Sequence, residues 1–186
     1  AASSDLAHLY VGQGKNLEAV ESFERALPAL REAAVQRNAD GAAKSNYASA
    51  MQGLATAYLN LGRYNEAEPY AKAAVAWMRA TFGPDHTFLA MAMKTLAMIH
   101  SYHNRFEEAI ELNEEGIRIF ADQLGTDNPQ CLGIMTNLSR HYVLVGRTDQ
   151  GIKMAAEVLA GHRRLRGEEH PQTINVLLNF TNVHLQ

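Results

Sequence analysis

The residues with the most chemical reach in this 186-residue sequence are its eight histidines, its one cysteine and several paired glutamates. His100 and His103 stand three apart, a spacing that puts two imidazoles on one side of a helix and within reach of one metal ion. A metal centre needs further ligands, and no cysteine or carboxylate in a recognised metal motif accompanies this pair. Cys131 falls in the first turn of an expected helix, where a thiolate is favoured, but no motif ties a histidine to it, so packing is its expected role. Glu107-Glu108, Glu114-Glu115 and Glu168-Glu169 fall on expected solvated faces or turns. The sequence contains no Gly-x-x-x-x-Gly-Lys-Ser/Thr phosphate loop, no Gly-x-Ser-x-Gly elbow and no His-Glu-x-x-His helix. Catalysis normally needs convergent titratable groups with supporting context. The expectation is therefore a protein that is not an enzyme, with no cofactor and no metal.

Bulk properties narrow the partners. Lys+Arg is 17 against Asp+Glu 20, a net charge of −3, whereas a nucleic-acid binder usually carries a basic face. The same balance gives no attraction to anionic membranes, and no apolar run reaches the length of a membrane span. A hydrophobic content of 47% is that of a folded chain. A single cysteine allows no internal disulfide and fits a reducing, cytoplasmic setting. Ala1-Ala2-Ser3-Ser4 is followed by no apolar stretch of signal-peptide type.

The elements that would position any of these groups come from a repeat. Leu54, Leu96, Leu138 and Phe180 follow one another at intervals of 42 residues. Tyr58, His100, Tyr142 and His184 lie four residues after them. A turn comes next in each copy: Gly62-Arg63, Asn104-Arg105 and Gly146-Arg147. A second turn closes each unit: Gly83-Pro84-Asp85-His86, Gly125-Thr126-Asp127-Asn128-Pro129 and Gly167-Glu168-Glu169-His170-Pro171. An earlier copy, Leu6, Tyr10, Gly14, Glu18 and Ala19, precedes its counterpart by 48 residues, so the first unit is longer and Asn38-Ala39-Asp40-Gly41 takes the place of the closing turn.

Apolar residues at helical spacing, such as Met51, Leu54, Ala55, Tyr58 and Leu61, predict two helices per unit, with Asn65 as an N-cap and Pro69 in the following first turn. The expected helices are 4–13, 16–37, 42–61, 65–82, 87–103, 107–124, 129–145, 149–166 and 171–185. One helical hairpin cannot bury its apolar stripe alone, and stacking on neighbours does so. A fixed period with matched turns at two places argues against a generic bundle. The small residues Ala55, Ala67 and Ala74 argue against other helical arrays of similar period.

The run from Leu54 to Glu68, Leu-Ala-x-x-Tyr followed by Leu-Gly-Arg-Tyr-x-Glu-Ala-Glu, resembles a tetratricopeptide repeat. The unit is stretched from the usual 34 residues to 42, as in the kinesin light chain subclass. The resemblance covers about Leu6 to Gln186 and implies an all-α fold, a right-handed α-α superhelix of four hairpins plus a final ninth helix. It is expected to be a single solenoid domain over 1–186, with units at about 4–41, 42–86, 87–128 and 129–170 and a half-unit at 171–186, from a longer protein. Departures from the pattern are His100 and His184 for Tyr, Asn104 for Gly, and Gly151 for Ala. The last should weaken its helix by up to about 1 kcal/mol and make the fourth unit the softest.

The same resemblance implies a binding surface, because such arrays hold peptides along the concave side lined by the first helix of each hairpin. Carried over by position, that surface offers Gln52, Thr56 and Asn60, then Met91, Lys94, Met98 and Tyr102, then Thr136, Asn137 and Arg140, and finally Asn175 and Asn179. Ser49 and Leu144 fall on the same stripes. Amides and hydroxyls can bind a peptide backbone, Lys94 and Arg140 can meet carboxylates, and methionine adapts to apolar side chains. The implied partner is a protein or peptide with one or two acidic residues. Lys94 and Asn137 match two of the five positions of a chaperone-type carboxylate clamp. Met98, Asn175 and Asn179 occupy the others with the wrong chemistry, so a clamp is not expected. Two other roles stay open: self-association through the C-terminal helix, and ligand sensing within a larger signalling protein.

Overall fold

A computed structural model describes residues 2–171 and 173–177 of the chain. Among them it forms eight helices: α1 (Ala2–Gly12), α2 (Asn16–Val35), α3 (Gly41–Asn60), α4 (Tyr64–Phe82), α5 (Thr87–Tyr102), α6 (Phe106–Leu124), α7 (Pro129–Leu144) and α8 (Thr148–Arg166). Residues 171 and 173–177 are also helical, and no strand occurs among the described residues. The first eight expected helices are present to within two residues at either end. The ninth is helical where it is described, and the rest of it lies outside the described residues. The helices fall into two compact units, residues 1–99 and 100–186, whose boundary lies inside α5 rather than at a repeat turn.

In the first unit α2 packs on α1 and α3, and α3 on α4. Met51, Leu54, Ala55 and Met78 are at most 2% exposed, as are Phe23, Ala67 and Ala74. The alanines sit where helices approach too closely for a longer side chain. In the second unit α7 packs on α6 and α8, around Ile119, Leu132, Ile134 and Leu138, all nearly fully buried.

The first helix of each hairpin ends in one repeated device. The backbone N–H of Lys15, Arg63, Arg105 and Arg147 donates to the carbonyl five residues back, of Tyr10, Tyr58, His100 and Tyr142, at 2.8–2.9 Å. That bond requires a left-handed residue just before the donor. Gly14, Gly62 and Gly146 supply it with φ of 74°, 72° and 80°. Asn104, the departure at this position, adopts φ 58°, which asparagine tolerates better than other side chains. The cation that follows then folds back over the aromatic ring: Arg63 lies 4.6 Å from the Tyr58 centroid, Arg147 6.0 Å from Tyr142 and Lys15 5.9 Å from Tyr10. Asp40, in the turn before α3, caps that helix by accepting from the Ala43 N–H at 2.7 Å.

Several local expectations need correction. α4 begins at Tyr64, one residue before Asn65, because Arg63 fills the cap position and pairs with Glu66 in the first turn. Asn65 is therefore not the cap, and Pro69 lies inside the helix rather than in its first turn. Trp77 ties the two helices of one hairpin: its indole donates to the Lys44 carbonyl at 3.2 Å and its ring meets Tyr47 edge-on at 5.0 Å. A Cβ on Gly151 would lie 2.7 Å from the Ser139 carbonyl oxygen and 2.6 Å from Val143 Cγ2. Close approach of α7 and α8 demands that glycine, and its propensity cost is the counterpart of tight packing.

Candidate functional site

The candidate residues lie on three separate stripes, on α3, α5 and α7. On α3, Gln52, Thr56 and Asn60 recur every four residues and share a face. Much of its polarity is already engaged. Thr56 donates its hydroxyl to the Gln52 carbonyl at 2.9 Å, and Asn60 donates its amide to Asn16 at 3.1 Å. Ser49, on the same face, contacts His8 of α1 at 2.9 Å. What remains open on α3 is the half-buried Gln52 amide and the acceptor side of Thr56.

On α5, Met91, Lys94 and Met98 form one stripe, and all three are half-buried. The methionines stand one turn before and after Lys94 and flank its stem. Burial lowers the Lys94 ammonium below its usual range, since desolvation disfavours the charged form. No carboxylate forms an ion pair with Lys94 among the described residues. Tyr102, one turn further on, is 55% exposed.

On α7, Thr136, Asn137 and Arg140 lie together. Thr136 spends its proton on the Leu132 carbonyl at 2.8 Å, Asn137 is half-buried and Arg140 is exposed. Asn175 is exposed in the short helical stretch 173–177, whereas Asn179 lies outside the described residues. The last helix was also the expected route to self-association. Its described part leaves Ile174 44% and Leu177 40% exposed, and the rest lies outside the described residues.

The groups singled out for chemistry have local partners. His100 is 6% exposed and its Nδ1 pairs with Glu108 at 2.9 Å. His86 accepts the Phe88 N–H at 3.2 Å in the inter-repeat turn. Cys131 is fully buried, and burial together with the Asp127 carboxylate pushes its thiol up to about 11, the opposite of a reactive thiolate. Among the described residues no three metal-ligating side chains are grouped.

Two arrangements are not anticipated by the sequence motifs. The Tyr58 hydroxyl donates to Glu24 at 2.5 Å and Tyr142 to Glu114 at 2.6 Å. These raise both phenols to about 12, through burial first and the carboxylate second. The repeat register does carry a signal for this. The glutamate position reads Glu24, Lys72, Glu114, Ala156 where the following aromatic position reads Tyr58, His100, Tyr142, His184, so tyrosine stands wherever glutamate does. The second is a fully buried polar pair, Asn113 Nδ2 to His141 Nδ1 at 3.1 Å. Burial, with help from Arg140, lowers the imidazole to about 4.

Comparisons with known proteins agree on the repeat. Models described as tetratricopeptide repeat match residues 46–122, 131–172 and 4–27. Protein KINESIN LIGHT CHAIN-RELATED 3 of Arabidopsis thaliana is 31% identical over 116 residues, covering 62% of this chain and 18% of its own length. KINESIN LIGHT CHAIN-RELATED 1 of the same plant is 28% identical over 163 residues, 82% of this chain and 26% of its own length. The chain thus spans about a quarter or less of the length of these relatives. Two solved structures share the fold. The kinesin light chain nearly identical TPR-like repeats of Podosopora anserina superpose with a TM-score of 0.81 at 23% identity, covering 99% of this chain and 84% of that one. BtubC (BKLC) from P. vanneervenii superposes with a TM-score of 0.82 at 22% identity, covering 98% and 70%.

Proposed function

Because this chain is a tetratricopeptide repeat protein of the kinesin light chain-like type, we propose that it acts as a protein-interaction module. In this reading the stripes on α3 and α5, and separately the stripe on α7, receive an extended or helical peptide carrying one or two acidic residues. The observation that carries it is Lys94, a half-buried cation set between two methionines and lowered by desolvation. A carboxylate brought by a ligand would restore what burial takes away, in a setting where water competes poorly. Methionine flanks give the neighbouring ligand side chains an adaptable apolar seat. The free buried thiol of Cys131 is in keeping with a reducing, cytoplasmic setting.

The test is an array of acidic, neutral and basic peptides probed with the whole chain. Acidic peptides should bind best, and the Lys94→Glu/Arg140→Glu double variant should weaken them by roughly tenfold or more. Unchanged binding by the folded variant would move the site to another surface.

A further inference from the structure

On the other side of α3 the first unit holds a cleft of about 550 Å³ between α2, α3 and α4. Tyr47, Met51 and Tyr58 face it from α3. At 3.6 residues per turn their stripe lies roughly 160° around the helix from Gln52, Thr56 and Asn60. The cleft is therefore separate from the polar face of α3, and a role for it stands independently of the acidic-peptide site.

Its walls are aromatic. Tyr58 and Tyr70 stack at 6.0 Å with an angle of 15° between their planes, and Tyr47 lines the same space. Its floor offers acceptors. Pro69 has no N–H, so the Asn65 carbonyl lacks the donor a helix would give it, and Asn65, Pro69 and Glu66 all line the cleft. The charge leans negative, with Glu66 in the lining and Arg63 paired to it. Around the Tyr58 ring stand two carboxylates, Glu24 on its hydroxyl and Glu66 at the rim, and one cation, Arg63. Arg63 also shows what chemistry suits this ring, for its guanidinium lies 4.6 Å over Tyr58 while it pairs with Glu66.

The later repeat does not keep this chemistry. The positions of Tyr47, Pro69 and Tyr70 there hold Cys131, Lys153 and Met154. Cys131 is fully buried, and Ile117 and Met154 pack against the core around Tyr142.

We propose that this cleft is a second binding site, which takes an arginine side chain of a partner protein between Tyr47 and Tyr70 with its guanidinium on Glu66 and the Asn65 carbonyl. Arginine fits better than lysine because a planar guanidinium both stacks on phenol rings and bonds in its own plane.

The probe is the peptide acetyl-Gly-Arg-Gly-amide, titrated into the whole chain while the tyrosine ring resonances are followed. The Tyr47 and Tyr70 signals should shift saturably. The isosteric citrulline peptide, which lacks the charge, should bind about three- to tenfold more weakly. Tyr70→Leu should weaken the arginine peptide by a similar factor, and Arg63→Gln should tighten it, since it removes the internal competitor for Glu66. Lys153→Ala, an exposed position on α8 in the second unit, should change nothing. Equal binding of the citrulline peptide, shifts that bypass Tyr47 and Tyr70, or weaker binding in a folded Arg63→Gln variant would each overturn the proposal. Arg63→Gln alters an exposed side chain, so the test does not depend on Tyr70→Leu keeping its fold.

Discussion

Around Tyr58 in the first unit and Tyr142 in the second, the chain repeats the same parts: a tyrosine hydroxyl on a glutamate, an arginine over the ring and a left-handed glycine between them. One residue earlier on each of the two helices the regions part. The register positions of Asn113 and His141 are Phe23 and Ala57 in the first repeat, and Ala71 and Ile99 in the second. All six residues are at most 1% exposed. The first unit fills this place twice with a large and a small apolar residue, whereas the second fills it with two polar side chains bonded to each other. The lesson is that the repeat fixes the volume and geometry of a core position but not its chemistry. A polar pair can occupy the place of an apolar one when the two bond each other, here through one contact that leaves Asn113 Oδ1 and His141 Nε2 without a further partner.

The strongest way to break the comparison is to remove one half of the polar pair. His141→Ala should cost about 3 kcal/mol in denaturant unfolding, from the cavity and from the Asn113 amide left buried without its partner. The double change Asn113→Ala/His141→Ile, which installs the residues of the preceding repeat, should recover most of that loss. If it does not, the two repeats are not interchangeable at this site. The double variant should also change the pH profile. His141 titrates at about 4 in the folded chain against 6.5 ordinarily. The unfolded chain therefore binds the proton first as pH falls, and stability drops between about 6.5 and 4. The wild type should lose about 3 kcal/mol across that window through this group, and the double variant should lack that part of the slope.

A smaller effect sharpens the contrast in packing. Gly151→Ala should destabilise by about 1–3 kcal/mol despite alanine's better helix propensity, because the Ser139 carbonyl is backbone and cannot swing aside. Gly12→Ala, where a Cβ meets nothing within 4 Å, should be neutral or stabilising. A stabilised Gly151→Ala would mean that α7 and α8 separate readily. The smallest effect tests the shared device. Tyr58→Phe and Tyr142→Phe should each cost about 1 kcal/mol by thermal unfolding, and by similar amounts. A clear difference between them would show that the two Tyr–Glu bonds are not equivalent.

Much of this is legible in the residues. The helices follow from the spacing of Leu54, Leu96 and Leu138 and from the turns after them, because a packed repeat leaves the same apolar and glycine marks in each copy. The start of α4 departs from the Asn65 signal, since a cap residue in sequence does not register that Arg63 and Glu66 close the first turn by themselves. The candidate face is legible only as positions on helices. Thr56 and Thr136 spend their donors on carbonyls one turn back in their own helices, whereas the Asn60–Asn16 bond and the desolvation of Lys94 depend on neighbours outside any motif.

The sequence by itself determined that this chain is a stack of helix pairs with one end-of-helix device used repeatedly. Period, turn residues and the aromatic position are local properties, and the copies restate them with few departures, such as Asn104 for Gly and His100 for Tyr. Tertiary structure decided the rest: that Asn113 meets His141, that Gly151 is held by a carbonyl, and that Tyr47, Tyr58 and Tyr70 enclose a cleft with Glu66 at its rim. Such facts rest on which side chains from separate helices arrive at the same point. That is set by packing distances of a few ångströms, which no spacing along the chain encodes.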